Sequence, residues 1–126
     1  MRDLFIQAAG AVALFAAIVH AVLGETKVFA KALIEPARLK LLIRLVWQCG
    51  AVAWAAIGVL LVVVPYLASE EARHWIIAMA VATFGFGAVA NAWATGGRHF
   101  GWMILTLTCV LALIGVRSTP DPVRSR

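Results

Sequence analysis

The chain has 126 residues, 63% of them hydrophobic and 13% charged, with a formal net charge of +5. Soluble domains carry about half apolar and about a quarter charged residues, so water is excluded as the main solvent of this surface. The basic balance does not point to nucleic acid either. Nucleic-acid binders spread their cations over a wet face with base-reading or stacking groups among them, whereas here the charges sit in short stretches between long apolar runs. That segregation predicts an all-α membrane protein, folded as a four-transmembrane-helix antiparallel bundle.

The first apolar run, Leu4 to Leu23, is about 30 Å long as a helix, the hydrocarbon thickness of a bilayer. Arg2 and the triplet Val19-His20-Ala21 would also permit a cleaved leader, but the run is longer than most leader cores and three more apolar runs follow it. From Glu25 to Arg44 the chain is charged. Val28, Phe29, Ala32 and Leu33 repeat there at helical spacing, with Lys27, Lys31 and Glu35 on another face. This predicts a short amphipathic helix on the membrane surface, ended near Pro36. The alternative is an extension of the first span that bends away.

The second span is predicted from about Leu45 to Leu67, with Trp47 and Tyr66 as interfacial aromatics. Ser69 reads as the N-cap of the third span, with Glu70 and Glu71 complementing its positive first turn, and that span continues to about Thr95. Gly96 to His99 makes the next turn, Phe100 to Val116 the fourth span, and Arg117 to Arg126 a polar tail holding Pro120 and Pro122. Four spans place both termini on one side. Arg2, Arg73, Arg117, Arg124 and Arg126 then face Lys27, Lys31, Arg38, Lys40, Arg44 and Arg98 across the membrane. Five against six gives no usable positive-inside bias, and the orientation stays open.

Helices in lipid associate by close packing of small residues. Ala9, Ala13, Ala17 and Ala21 recur every four residues, with Gly10 and Ala16 beside them, and predict the main seam. Ala51 with Ala55, Gly87 with Asn91, and Ala88 with Ala92 repeat the spacing, while Gly85-Phe86-Gly87 reads either as a kink or as small residues at a crossing. Cys49 and Cys109 lie in different apolar runs without ligand spacing, so two buried thiols are expected rather than a disulfide or a zinc site.

Polar side chains at membrane depth are functional candidates by default. His20, Glu25, Arg44, Gln48, Asn91, Thr95 and His99 all belong to the side of the first and third connections. There Glu25 could pair with Arg44, and His20 could hydrogen-bond Gln48 or Asn91. Two readings stay open: a polar pocket for a small ligand, lipid headgroup or metal, and an interfacial hydrogen-bond network that fixes helix ends. At the opposite face, Ser69, His74 and Asp121 contain the residue types of a hydrolase triad without a nucleophile-elbow pattern. Glu70 and His74 are more simply a contact within the first turn.

His20-Ala21-Val22-Leu23-Gly24-Glu25 and Arg44-Leu45-Val46-Trp47-Gln48 resemble an uncharacterised family of short bacterial four-span proteins. In that family an H-x-x-L-G-E closes the first span and an arginine followed by Trp-His opens the second. The resemblance implies architecture rather than activity, and Gln48 stands where the family has histidine, against a haem or metal held by His20. The length is also similar to that of the small multidrug resistance transporters, but their first-span glutamate has no counterpart here. Glu25 lies at the boundary of the span. The expectation is a non-enzymatic accessory or scaffold subunit without cofactor, surrounded by membrane lipids and assembled as a homo-oligomer or within a larger complex, with no nucleic-acid partner. The alternatives are a small oligomeric carrier using His20, Glu25 and Arg44, and then a metal or redox protein.

Overall fold

A computed structural model describes residues 1–117; the predicted tail beyond Arg117, with Asp121, lies outside them. Among the described residues every regular element is helical. α1 (Arg2–Leu23) continues into a π-helical turn (Gly24–Phe29), α2 (Ala37–Val63) continues into a 3₁₀ turn (Val64–Tyr66), and α3 (Glu70–Thr95) and α4 (Gly101–Arg117) follow. Three of these helical stretches, Arg2–Phe29, Ala37–Tyr66 and Glu70–Thr95, are long and apolar enough to cross a membrane, and α4 is a shorter apolar helix of 17 residues.

Two boundaries differ from the sequence expectation. The charged segment after the first span forms no separate surface helix: residues 24–29 extend α1 directly. Phe29 is buried and meets the Trp47 ring edge-on at 5.7 Å, which gives the extension a tertiary partner that a helix lying on the surface would lack. Second, α2 starts at Ala37, well before Leu45. Pro36 is its N-cap, with extended backbone and a carbonyl that accepts from Leu39 N and Lys40 N. A proline lacks the amide proton that the start of a helix leaves unused anyway, so the residue expected to end one element begins the next. Lys40 Nζ donates to Ala32 O at 2.9 Å and holds the intervening loop against α2.

α3 begins as its sequence predicts, with Ser69 Oγ accepting from Ala72 N at 3.2 Å. It ends in a Schellman motif: Gly97 N donates to Ala92 O and Gly96 N to Trp93 O. Both glycines hold positive φ, 57° and 74°, where an L side chain would be strained.

α1 packs along both α2 and α4, α3 packs along α4, and α2 and α3 touch little. The register of α1 on α2 follows from pairs along the interface. His20 meets Trp47, Gly10 meets Gly58, and Gln7 Nε2 donates to Tyr66 Oη. The buried stripe of α1 is Ile6, Ala9, Gly10, Ala13, Ala16 and Ala17, continued by buried Gly24. Ala9, Ala13 and Ala17 belong to it as expected, but Ala21 is only half-buried. A strict four-residue repeat turns about 40° around the helix at each step, so Ala21 has left the seam. His20 takes its place by a three-residue step, the alternation that keeps a stripe facing one neighbour.

The closest approach is between glycines. A Cβ on Gly10 would lie 2.7 Å from Gly58 O and 2.9 Å from Val62 N, both backbone atoms that cannot turn aside. Gly87 sits where α3 meets Leu105 and Trp54, and α3 is continuous through Gly85-Phe86-Gly87, so Gly87 serves as a small residue at a crossing. The thiols differ from expectation. Cys49 is exposed on the outer face of α2, while Cys109 is partly buried with its Sγ 3.7 Å from Val81 O.

The end bearing the chain start is tied by an ionic network that sequence reading missed. Arg2 donates to Glu70 at 2.8 Å, and Arg73 donates to Glu70 at 3.1 Å while also reaching Leu67 O and Pro65 O. Arg73, and not His74, is therefore the first-turn partner of Glu70, and it satisfies carbonyls left over where α2 ends. These two arginines are mostly buried.

Gly10→Ala is expected to destabilise the protein by about 1–3 kcal/mol, because backbone must move to admit the methyl. Gly85→Ala, whose Cβ would meet nothing nearer than Cys109 Sγ at 4.0 Å, is expected to be neutral or stabilising by up to about 1 kcal/mol through helix propensity. Unfolding midpoints of the two purified variants in detergent check the contrast.

Candidate functional site

The two short sequence motifs, one at the end of α1 and one in the first half of α2, meet each other. The contact lies at the α-to-π transition after Leu23, where the Gly24 amide is shared between His20 O and Ala21 O. Trp47 Nε1 donates to His20 O at 3.0 Å, and Gln48 Nε2 lies 3.4 Å from Ala21 O. α2 thus supplies donors where α1 changes its winding. Gly24 completes the fit: the Trp47 indole occupies the space a Cβ would need, with its Cδ1 2.7 Å from that position. The His20 ring lies flat on the same indole, centroids 4.1 Å apart and planes 4° apart.

Glu25 follows Gly24 and turns to α2. It accepts from Gln48 Nε2 at 2.6 Å and pairs with Arg44, one helical turn before Gln48. Glu25 with Arg44 is the pairing the sequence suggested. The suggested His20 bonds to Gln48 or Asn91 do not form; Gln48 is engaged by Glu25, and His20 stacks between Trp47 and Trp54, the latter at 4.5 Å and 40°.

Trp54 reaches further across the fold. Its ring meets Phe84 of α3 edge-on at 5.7 Å and lies over Gly87, bridging the two helices that otherwise hardly touch. On the side of Trp54 toward the first and third connections, a cavity of about 190 Å³ remains between all four helices. Ala16, Val19, His20 and Leu23 of α1 line it, with Trp47 and Trp54 of α2, Asn91 and Thr95 of α3, and His99, Gly101, Ile104 and Leu105 at the start of α4. The expected polar cluster is therefore divided. His20, Asn91, Thr95 and His99 share the cavity, whereas Glu25, Arg44 and Gln48 form a clasp outside its lining.

On the far wall the polar side chains also cap a helix. Asn91 Oδ1 accepts from Trp102 N at 3.1 Å, and His99 Nδ1 accepts from Gly101 N at 3.0 Å, so two of the amides that every helix start leaves unpaired are satisfied. The consequence is a fixed polarity. With Nδ1 accepting, the His99 proton resides on Nε2, and with Oδ1 accepting, the Asn91 amide keeps both N–H groups. Thr95 spends its hydroxyl hydrogen on Asn91 O at 2.7 Å. Among the described residues no hydrogen bond uses Asn91 Nδ2, His99 Nε2 or Trp54 Nε1.

The sequence marks Trp47 as an interfacial aromatic, and Trp54 follows it seven residues later. The usable signal is the 4-3-4-3 spacing Trp47, Ala51, Trp54, Gly58, Leu61. Three of these, Ala51, Gly58 and Leu61, are the buried residues of α2, so both indoles ride on the one stripe that faces α1. Among the described residues no three His, Cys, Asp or Glu side chains come together in a group that could hold a metal ion. No family model, curated protein or solved structure matches the chain.

Gly24→Ala is expected to displace the Trp47 indole and cost about 1–3 kcal/mol. The same change in a Trp47→Ala background is expected to cost less than about 0.5 kcal/mol, since the two sites would no longer touch. A double-mutant cycle on unfolding midpoints measures the coupling.

Proposed function

We propose that the chain is a multi-pass protein of the bacterial cytoplasmic membrane, a four-span antiparallel bundle acting as a non-enzymatic accessory subunit that holds a small ligand in its end cavity. The apolar exterior supports the membrane reading. Large apolar side chains stand exposed along every helix, among them Phe15, Ile18, Val52, Val59, Met79, Phe86, Val89, Leu107 and Val110. A surface of that kind is stable against lipid tails and not against water. The pairs His20–Trp47, Gly10–Gly58 and Gln7–Tyr66 support the antiparallel sense of the first two spans. The α1 stretch of 28 residues is about 42 Å long, longer than the hydrocarbon layer. Arg2 at one end and Glu25 with Lys27 at the other then reach the headgroup zones.

The single observation that carries the ligand-binding part is the cavity itself. Close packing is the rule in protein interiors, and here four helices converge on a space with rings and hydrogen-bonding side chains on its walls. A carrier that binds its solute through Glu25 and Arg44 is less well supported, because these two side chains are paired with each other outside that space.

Cys49, exposed on α2, reports on the membrane placement. In intact membranes it is expected to resist a charged, water-soluble maleimide and to react with a lipid-soluble one; rapid labelling by the charged reagent would overturn the span assignment. In reconstituted vesicles, solute flux is expected to be unchanged by Glu25→Gln, and a flux abolished by that substitution would favour the carrier.

A further inference from the structure

The cavity walls restrict what can occupy it. Its volume of about 190 Å³ compares with the roughly 150 Å³ apolar cavity that accepts benzene, and falls below the range typical of drug-sized ligands. One substituted ring fits. One flat surface is already in place, the Trp54 indole, with the edge of the His20 ring beside it and Ala16 and the aliphatic Ile104 and Leu105 completing the wall.

Charge is the second restriction. Among the described residues no Asp, Glu, Lys or Arg lines the cavity, and the nearby Glu25 and Arg44 neutralise each other outside it. An ion entering would lose hydration without finding a counter-charge. Hydrogen-bond polarity is the third. Asn91 and His99 use their acceptor atoms on the first amides of α4, which leaves N–H donors at Asn91 Nδ2 and His99 Nε2, with the Trp54 indole N–H as another. A ligand that satisfies these three donors brings an acceptor, while the His20 imidazole and the Thr95 hydroxyl oxygen in the same lining can themselves accept.

We infer that the cavity binds an uncharged, single-ring carbonyl compound of the quinone class, its ring against Trp54 and the edge of His20 and its carbonyl oxygen accepting from Asn91. The inference rests on the ligand-binding reading above and adds the chemistry of the ligand. A ring with opposed carbonyls is flat, uncharged and acceptor-only, and it partitions into a membrane with or without an isoprenoid tail.

The test uses the full-length protein in detergent micelles, titrated by calorimetry with duroquinone and with durene, the same tetramethyl ring lacking the carbonyl oxygens. Duroquinone is expected to bind at least tenfold more tightly. Asn91→Asp keeps an oxygen to cap Trp102 and removes the amide donor, so it is expected to weaken duroquinone at least tenfold and leave durene unchanged, with helical circular dichroism and melting preserved. Trp54→Phe, which keeps a six-membered ring and deletes the N–H, is the second variant should Asn91→Asp fail to fold; it is expected to weaken duroquinone by a larger factor than durene.

Equal binding of durene and duroquinone would overturn the carbonyl assignment while leaving cavity binding in place. Absence of binding by both would overturn the ligand-binding reading as well, and duroquinone affinity unchanged in both folded variants would overturn the donor assignment. Solvent extraction of protein purified without added ligand separates the sources. An isoprenoid quinone in near-stoichiometric amount identifies a lipid-borne ligand, and its absence alongside duroquinone binding identifies a free aromatic carbonyl compound.

Discussion

The docking of the Trp47 indole against the end of α1 is the contact on which the functional end of the molecule depends. One side chain satisfies a carbonyl at the α-to-π junction, fills the space left by Gly24, and supplies the plane on which His20 rests. Each part constrains the others. A Cβ at residue 24 would push the indole away, and the His20 carbonyl would then keep only the Gly24 amide as its donor.

From that contact the rest of the cavity follows in order. His20 held flat against Trp47 leaves its other face to Trp54, and Trp54 reaches Phe84 and Gly87 on α3. α2 and α3 otherwise touch little, so this indole both bridges the gap and closes the cavity toward the middle of the helices. The clasp of Glu25 with Arg44 and Gln48 lies one step outward and orders the same helix ends. Seven polar residues that appear in the sequence as one cluster therefore divide into two sets with different tasks. One set locks α1 to α2, and the other faces the cavity while capping α4.

The opposite end is held by a different device. Arg2, Glu70 and Arg73 connect the start of α1 to the start of α3 and to the carbonyls at the end of α2. The face is less bare than its sequence suggests, where Arg73 reads only as one more interfacial cation. Between the two ends, the Gly10–Gly58 crossing sets how closely α1 and α2 approach and so brings Trp47 within reach of His20.

The sequence by itself determined the helical class, the long apolar stretches, the Ser69 cap, the Gly96-Gly97 turn and the Glu25–Arg44 pairing, because these depend on composition and on residues near in sequence or set at complementary helix ends. It did not determine that residues 24–29 continue α1, that Ala21 leaves the seam in favour of His20, or that Cys49 faces outward. Those outcomes depend on which face of a helix meets which neighbour, and in a uniformly apolar helix hydrophobicity no longer marks a face. Only the tertiary structure decided that Trp47 and Trp54 point at α1 and α3, and that Asn91 and His99 turn their acceptors to α4. The reason is physical: the side-chain donors and acceptors that satisfy the helix ends are supplied across helices, between residues far apart in the chain.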